Sequence, residues 1–256
     1  MVYVPEGAYK LGGGVGNEVG KIRKYVGPLN FSTPYEVLSE DAITVTGNTV
    51  IDALLMVRDI VNAESDGESK QEFGRDCHAR IVDVDRKLIL ITGHRRENFG
   101  QGFIDLCNAI KKLSESHPDW DLVYPVHLNP NVQKPVYHIL GGHENIFLIE
   151  PLEYAPFVWL MDKSDLILTD SGGIQEEGPS LGKPVLVMRS VTERPEALEA
   201  GTVRLVGTDT DKIVSNVEEV MLDTSVYEAM SKAHNPYGDG RAVSRIIDYI
   251  TGVCTS

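Results

Sequence analysis

The stretch LILTDSGGIQEEGPSLGKPVLVM, residues 166–188, decides the fold. It begins with an apolar run that ends at Thr169, continues through a Ser-Gly-Gly turn and a short helical stretch, and closes with the apolar run VLVM (185–188). Continuous apolar runs are typical of strands covered on both faces, as in parallel sheets. The stretch therefore predicts two parallel strands joined by a helix.

The same alternation extends outward from this unit. Further apolar runs typical of strands are LILIT (88–92), LVYPV (122–126) and IFLI (146–149). Three helical stripes lie between or after the strands, formed by Phe103, Leu106, Cys107, Ile110 and Leu113, by Ile213, Val214, Val217, Val220 and Met221, and by Val243, Ile246, Ile247 and Ile250. We expect an α/β fold with a doubly wound parallel sheet, whose ligands bind beyond the carboxyl ends of the strands.

The composition narrows the function classes. The 256 residues include 38 acids against 24 Lys plus Arg, a formal net charge of −14. Such a field repels nucleic acid, so an anionic ligand must be held by local donors. No apolar run of about 18 residues and no secretory pattern is found, so we expect no membrane span and no export. Cys77, Cys107 and Cys254 are odd in number and lack metal-ligand spacing, which favours reduced thiols in a cytoplasmic protein.

Residues 1–43 do not follow this alternation. They include LGGGVGNEVG (11–20), whose glycines invite comparison with a phosphate loop. Neither G-x-G-x-x-G nor G-x-x-x-x-G-K-[ST] fits the spacing, and no clear apolar strand precedes the glycines. We interpret 1–43 as an atypical N-terminal segment.

The Ser-Gly-Gly turn is the strongest candidate site. Gly172 and Gly173 let a ligand approach the backbone, Ser171 adds a hydroxyl donor, and the first turn of the following helix offers free N–H groups to a phosphate. Glu176 or Glu177 could accept hydrogen bonds from vicinal ribose hydroxyls. The structural alternative is that Ser171 caps the helix, the glycines make a tight turn, and the glutamates complement the helix dipole.

A second candidate site is the cationic loop in ITGHRRENFGQGF (91–103). His94, Arg95 and Arg96 follow a predicted strand, so they belong to the same edge of the sheet as the turn. Arginine matches phosphate oxygens, and histidine donates or shuttles protons near neutral pH. The alternative is an exposed loop whose arginines pair with Glu97 and nearby acids.

Three weaker candidates complete this edge. His127 ends a predicted strand, although a buried histidine with satisfied hydrogen bonds is the simpler interpretation. Phe157 follows Pro156, where we place a helix start, and could lie against a base or be ordinary core. Arg194 could reach a phosphate or only bridge neighbouring glutamates. The histidine and cysteine spacings indicate no metal site, and no G-x-S-x-G motif suggests a serine hydrolase.

Taken together, long segments of the chain closely resemble the non-hydrolysing UDP-N-acetylglucosamine 2-epimerases. The matching segments include TGNTVIDALL (46–55), ITGHRRENFG (91–100), VYPVHLNPNV (123–132), EYAPFVWLM (153–161), LTDSGGIQEE (168–177), TERPEA (192–197) and AHNPYGDG (233–240). The resemblance implies a two-domain fold of the glycosyltransferase-B type with its active site between two Rossmann-like halves. This chain looks like the C-terminal half, with a UDP-binding domain at 44–238 and a crossover helix at 239–256.

The resemblance also implies roles for individual residues. It assigns Ser171, Gly172 and Gly173 to the diphosphate, Glu177 to the ribose, Phe157 to the uracil, Arg194 to the phosphates or sugar, and His94 to the active site beside them. Arg95 and His127 match positions that, in bacterial members, contact a second UDP-N-acetylglucosamine acting as an activator.

The reaction implied is inversion at C2, through elimination of UDP and its re-addition to a 2-acetamidoglucal, with no redox cofactor. It needs carboxylates near C2 on both faces. The family's G-T-R-P-E, G-D and H-x-E-A-G-L-R segments, which belong to the other half, are not found here. We therefore expect UDP binding with weak or absent epimerisation by this chain alone, and a homodimer or a complementing N-terminal half as partner.

Three alternatives stay open at this point. One is a glycosyltransferase-B-type enzyme that transfers sugar from a UDP-sugar. Another is a UDP-sugar-binding module without catalysis. The third is a hydrolysing epimerase, which the motifs separate only in part.

Overall fold

The structure of the protein is a computed structural model that describes residues 44–63 and 72–254, together with two short strands at 23–24 and 36–37. The glycine-rich segment 11–20 lies outside the described residues. The chain divides into two compact units, one formed by Leu54–Asn235 and the other by Met1–Ala53 with Pro236–Ser256. No helix of the described part is long and apolar enough to cross a membrane.

Strands and helices alternate along the larger unit, as the sequence predicts. The strands are β1 Arg23–Lys24, β2 Glu36–Val37, β3 Lys87–Thr92, β4 Trp120–Pro125, β5 Ile146–Ile149, β6 Leu166–Thr169, β7 Val185–Val187 and β8 Val203–Leu205. The helices are α1 Thr49–Ala63, α2 Arg75–Ile81, α3 Gln101–Ser116, α4 Pro130–Leu140, α5 Tyr154–Lys163, α6 Ile174–Ser180, α7 Pro195–Ala200, α8 Thr210–Leu222, α9 Thr224–Ser231 and α10 Ala242–Cys254. β1 and β2 form a separate antiparallel pair.

The main sheet has six parallel strands in the order β5-β4-β3-β6-β7-β8. This is the Rossmann order, in which the chain first builds outward on one side and then crosses to the other. The direction reverses between β3 and β6, whose registers pair Thr92 with Thr169. The loops that follow these two strands therefore leave the sheet side by side at its carboxyl edge.

Helices packed on the sheet explain the burial of its strands. The predicted stripe of α3, from Phe103 to Leu113, is buried in the core, and so is most of the stripe of α8, where Ile213 and Val217 are fully buried. Both predictions are confirmed. The strand runs of β3, β4, β6 and β7 are buried as well, because helices cover both faces of a parallel sheet, whereas the edge strand β5 is buried only at Ile146.

α6 packs unusually close to the sheet through Gly178. A Cβ on this residue would lie 2.7 Å from Val185 Cγ2 and 3.0 Å from Ile167 Cδ1, which is closer than side chains normally approach. The close packing holds α6, and hence the turn that precedes it, against β6 and β7.

α10 belongs to the smaller unit, and the carboxylate of Asp52 caps its first turn. The backbone N–H groups of Ala242 and Val243 donate to Asp52 at 3.1 and 3.0 Å, which satisfies two donors of the first turn. The predicted helix is confirmed. Its apolar stripe is largely exposed in the described structure, with Ile247 at 54% and Ile250 at 46%.

Candidate functional site

Two loops meet at the point where the strand order reverses, one running from Gly93 after β3 and the other from Asp170 after β6. Asp170 joins them, because its Oδ2 accepts hydrogen bonds from the backbone N–H groups of His94 at 2.9 Å and Arg95 at 2.8 Å. The Asp170 side chain is fully buried. Its Oδ1 accepts no hydrogen bond from the described residues and lies 3.6 Å from His94 Nδ1.

The ends of the neighbouring strands are tied together as well. The hydroxyls of Thr92 and Thr169 lie 2.5 Å apart, and Thr169 Oγ1 also accepts from the backbone N–H of Ser171 at 2.9 Å. Tyr124 donates its hydroxyl to the carbonyl of Gly93 at 2.7 Å, and burial raises the pKa of that phenol well above its ordinary value. Both loops therefore start from fixed positions.

The Ser-Gly-Gly turn keeps donors available to a ligand. None of the described residues accepts a hydrogen bond from the backbone N–H groups of Gly172 and Gly173. α6 has Gly173 as its N-cap without a side-chain capping bond, so the alternative in which Ser171 caps the helix is wrong. Arg95 Nη2 lies 3.5 Å from the position that a Cβ on Gly172 would occupy, so a cation of the first loop reaches the turn of the second.

Two histidines stack at this edge. The rings of His94 and His127 are nearly parallel, with centroids 5.2 Å apart. His127 is exposed, and its Nδ1 accepts from the backbone N–H of Asn129 at 3.1 Å. The expectation of a buried histidine at 127 is therefore wrong, because the strand ends before this residue and leaves its side chain beyond the sheet.

The two glutamates of α6 have different partners. Glu176 makes an ion pair and hydrogen bond with Nε of Arg194, whose backbone N–H donates to Thr192 Oγ1 at 3.0 Å. Glu177 accepts a hydrogen bond from the Tyr154 hydroxyl at 3.2 Å. Burial raises the pKa of the Glu177 carboxyl, and burial together with this carboxylate raises the pKa of Tyr154 to about 12.

Phe157 lies on α5, near the edge of the core. It is half-buried, whereas Leu160 and Met161 on the same helix are fully buried. The helix begins at Tyr154, two residues before the predicted start at Pro156. Proline is tolerated there because the N–H groups of a helix's first turn have no partner within the helix.

Arg189 was not among the predicted site residues, and it organises the edge. It is 5% exposed, and its guanidinium binds Glu97 at 2.6 Å and Glu193 at 2.6 and 2.9 Å. The Arg189 hydrogen bonds hold the pKa of Glu193 at about 2, with help from Arg95 at 3.9 Å. The predicted pairing of Glu97 with the arginines of its own loop is wrong, since Glu97 pairs with Arg189, whereas Arg95 does approach an acid, Glu193. The signal that was missed is an arginine directly after a buried strand, next to two acidic loops.

The arrangement suits an anionic ligand that is held by short-range donors. The edge carries the N–H groups of Gly172 and Gly173 and the hydroxyl of Ser171 in one loop, and His94 and Arg95 in the other. The buried carboxylate of Asp170 binds the backbone of the loop after β3. Among the residues described, no cluster of three or more His, Cys, Asp or Glu side chains could hold a metal ion.

Comparison with known proteins gives consistent matches. A family model described as UDP-N-acetylglucosamine 2-epimerase matches residues 35–251. The UDP-N-acetylglucosamine 2-epimerase of Escherichia coli is 58% identical over 213 residues, which cover 83% of this chain and 56% of the relative. The chain thus spans about half the length of the curated relatives it matches.

Solved structures resemble the chain to a similar extent. The UDP-GlcNAc 2-epimerase of Neisseria meningitidis bound to UDP-GlcNAc has a TM-score of 0.75 and 45% identity, and the match covers 84% of this chain and 57% of that one. An S. aureus MnaA–UDP structure has a TM-score of 0.72 and 44% identity, with 84% and 55% covered.

Proposed function

Since the chain belongs to the UDP-N-acetylglucosamine 2-epimerase family, we propose that it forms the UDP-binding half of an active site that interconverts UDP-N-acetylglucosamine and UDP-N-acetylmannosamine. The observation that carries the proposal is the meeting of the loops after β3 and β6, where Arg95 reaches Gly172 beside two unused backbone N–H groups. In open α/β sheets this reversal of strand order is where nucleotides bind.

In this proposal the diphosphate lies against the Ser-Gly-Gly turn. The N–H groups of Gly172 and Gly173 and the hydroxyl of Ser171 donate to its oxygens, and the absence of Cβ atoms on the glycines permits close approach. Arg194 reaches the phosphates or the sugar from the loop that precedes α7. Its ion pair with Glu176 supports this by fixing the guanidinium beside the turn.

The nucleoside extends toward α5. Glu177 accepts hydrogen bonds from the ribose hydroxyls, since its hydrogen bond to Tyr154 engages Oε1 and leaves Oε2 for the ligand. Phe157 lies against the uracil, for which its half-buried position leaves an exposed part of the ring. These roles follow the family resemblance, and the positions of the side chains agree with them.

The chemistry assigns His94 to the departing nucleotide. A base removes the C2 proton, the C1–O bond breaks with its electron pair passing to the diphosphate oxygen, and C1 and C2 become doubly bonded. Protonation of C2 on the opposite face and return of UDP to C1 complete the inversion. His94 and the N–H groups of the turn stabilise the charge on UDP, which exists only after the bond has begun to break.

We place the acid and base carboxylates of this reaction outside this edge, in another domain or a partner chain. Four carboxylates here already have partners, since Glu176 pairs with Arg194, Glu177 bonds to Tyr154, and Arg189 holds both Glu97 and Glu193. Asp170 is fully buried beneath the loop. A homodimer or a complementing N-terminal half, as the resemblance suggests, would supply the missing groups.

We also propose an activator site at this edge. Arg95 and His127 would contact a second UDP-N-acetylglucosamine acting as an activator, and the exposure of His127 beside His94 is compatible with this role.

We further propose a cytoplasmic location for the protein. The buried free thiols of Cys77 and Cys107 favour it, and cell fractionation would test it.

Proton NMR in deuterated buffer tests the proposed function directly. We expect UDP-N-acetylglucosamine to show line broadening in the presence of the chain, while its C2 proton remains. Adding an N-terminal half of the Escherichia coli relative should then exchange the C2 proton and produce a new manno anomeric signal. Exchange by the chain alone would place the carboxylates within it, and absence of broadening would contradict the nucleotide site.

A further inference from the structure

Asp170 is the most deeply buried carboxylate at this edge, and the proposed chemistry gives it no contact with substrate. Its side chain is 0% exposed. A buried carboxylate is costly unless hydrogen bonds compensate it. The described residues satisfy one oxygen fully, through the N–H groups of His94 and Arg95, while the second oxygen accepts no hydrogen bond.

The second oxygen faces a ring nitrogen. Asp170 Oδ1 lies 3.6 Å from His94 Nδ1, a distance that a small rotation of the ring would reduce to a hydrogen bond. The plane of that ring is already set by its stacking on His127, with 11° between the two rings. The same carboxylate therefore binds the backbone of the loop through Oδ2 and lies beside one side of the His94 imidazole through Oδ1.

Asn98 strengthens the support from the other side. Its Nδ2 lies 3.4 Å from Asp170 Oδ2 and 3.3 Å from the carbonyl of Met188, and Asn98 is itself buried. The carboxylate is thus enclosed between β3, β6 and the end of β7. It cannot swing out to meet a ligand, so any effect on substrate has to pass through the groups that it holds.

We propose that Asp170 is the positioning residue of this site: it holds a proton on Nδ1 of His94, so that Nε2 faces the diphosphate and donates to it once the bound anion draws a second proton onto the ring. A carboxylate beside one ring nitrogen selects the tautomer protonated there and stabilises the doubly protonated ring. The inference rests on the proposed UDP site and adds to it a residue that fixes both the orientation and the protonation of His94.

The test uses Asp170→Asn, which keeps the size of the side chain. Its amide oxygen can still accept from the two backbone N–H groups, while its NH₂ group faces Nδ1 and favours the lone pair there. In two-bond ¹H–¹⁵N correlation spectra at neutral pH, we expect Nδ1 of His94 to carry the proton in the wild type and to lose it in the variant. An unchanged tautomer would overturn the proposal.

A matched control lies at the opposite edge of the same two strands. Asp165 directly precedes β6, and its Oδ2 accepts from the backbone N–H of Leu88 on β3 at 2.8 Å. Asp165→Asn therefore replaces a carboxylate that also accepts from a backbone N–H group, although it is 30% exposed and lies at the other end of these strands from the loops. We expect it to leave the His94 spectrum and UDP binding unchanged, and an equal change in both variants would assign the effect to general loosening of the strands.

Calorimetry with UDP and uridine separates this inference from the proposed function. We expect Asp170→Asn to weaken UDP binding roughly tenfold, the scale of one charge-assisted hydrogen bond, while uridine binding stays the same. In a His94→Ala background, the Asp170 substitution should have no further effect on UDP. Additive losses would show that Asp170 does not act through His94.

The two proposals fail in different ways. A wild type that binds neither UDP nor uridine contradicts the nucleotide site, and the tautomer measurement then still decides whether Asp170 holds the ring. A wild type that binds UDP, with a variant that binds it equally well, contradicts the role of Asp170 alone.

Discussion

At the scale of single residues, Glu177, the proposed ribose ligand, lies where burial disfavours its charged form. Burial raises the pKa of its carboxyl, and the hydrogen bond from Tyr154 partly offsets this effect. Such a carboxylate gains most when ligand hydroxyls donate to it, because few waters can do so. We therefore expect this half-buried acceptor to discriminate between nucleotides with and without those hydroxyls.

We predict that the wild type prefers UDP over 2′-deoxy-UDP by roughly tenfold, and that Glu177→Gln loses most of this preference. Only the ionised carboxylate accepts from both hydroxyls, so the preference should fade as the pH drops through the raised pKa of Glu177. Tyr154→Phe removes the bond that lowers this pKa, so the loss should begin at a higher pH. Competition binding over a pH series measures this, and an equal preference in all three proteins would contradict the ribose assignment.

Glu193 supplies a test of the loop network through stability. Its folded-state pKa of about 2 lies below the ordinary value of 4.5, so its ion pair with Arg189 stabilises the fold above about pH 4.5. This contribution is lost as the pH falls through about 2. The side chain is 51% exposed, so solvent screening keeps the contribution modest.

We predict that Glu193→Gln lowers the free energy of unfolding at neutral pH and that the difference from the wild type shrinks toward pH 2. Urea denaturation at several pH values measures it. Glu228→Gln serves as control, because Glu228 forms an exposed pair with Lys232 at the end of α9, which contributes little. If the Glu193 deficit grew on acidification, the assigned ion pair would be wrong.

The pairing of these side chains is what sequence could not predict. The chemical types at the edge were recognisable, since a histidine, two arginines and a glycine turn follow predicted strands. Their partners were not, because Arg189 meets Glu97 across 92 residues and Asp170 meets His94 across 76. A sequence suggests ion pairs between residues that are close along the chain, whereas the partners at a sheet edge depend on which strands are adjacent.

At the scale of elements, α6 contains one glycine that packs against the sheet, Gly178, and follows another that borders the proposed diphosphate site, Gly173. Gly178 faces the sheet, where a Cβ would come within 3.0 Å of two side chains, whereas a Cβ on Gly173 would meet nothing within 4 Å. Gly173 also has helical backbone angles, so any residue can adopt its conformation. The two glycines of one segment therefore have separate reasons to lack a side chain.

We predict opposite outcomes for the two alanine substitutions. Gly178→Ala should destabilise the protein by about 1–3 kcal/mol through overpacking against Val185 and Ile167. Gly173→Ala should leave stability unchanged or slightly raised but weaken UDP binding, since a methyl group would stand where the diphosphate approaches. Thermal unfolding and calorimetry on both variants measure this. Equal effects on stability would contradict the packing argument, and unchanged UDP affinity in Gly173→Ala would contradict the placement of the diphosphate.

Apolar runs predicted five strands of the main sheet and missed the edge strand β8. Five runs correspond to β3 to β7 with bounds that differ by at most two residues. β8 was not predicted, because its three residues include Arg204 and only Val203 is buried. An edge strand has a neighbour on one side only, so its sequence needs less apolar character.

At the scale of the whole molecule, strand order creates the site. The sequence predicted parallel strands and two candidate loops, but not that β6 lies beside β3 rather than beside β5. That adjacency brings Arg95 to Gly172 and Asp170 to His94, which lie more than 70 residues apart in the chain. The family resemblance implied the same grouping, whereas periodicity and spacing alone did not.

Net charge affects how the nucleotide of our proposal would approach this site. The formal charge of the chain is −14, and the edge itself offers no positive excess. The edge has four arginines and five carboxylates. The arginines are Arg95, Arg96, Arg189 and Arg194, and the carboxylates are Glu97, Asp170, Glu176, Glu177 and Glu193. Binding must therefore come from short-range hydrogen bonds, working against a repulsive field.

We therefore expect the association rate of UDP to depend on salt in the opposite way from that of proteins that attract nucleotides by a positive field. Added salt shortens the screening length to about 10 Å at 0.1 M, which weakens long-range repulsion more than contacts at 3 Å. We predict that UDP associates up to a few times faster as ionic strength rises from about 0.01 to 0.3 M, with affinity unchanged or improved. Stopped-flow and calorimetric measurements on UDP, with uncharged uridine as the control, decide the matter. Uridine should show no trend, because the field does not act on it. A steep loss of UDP affinity with salt would mean that the arginines act as a net positive patch, and that the carboxylates paired with them are displaced when the nucleotide binds.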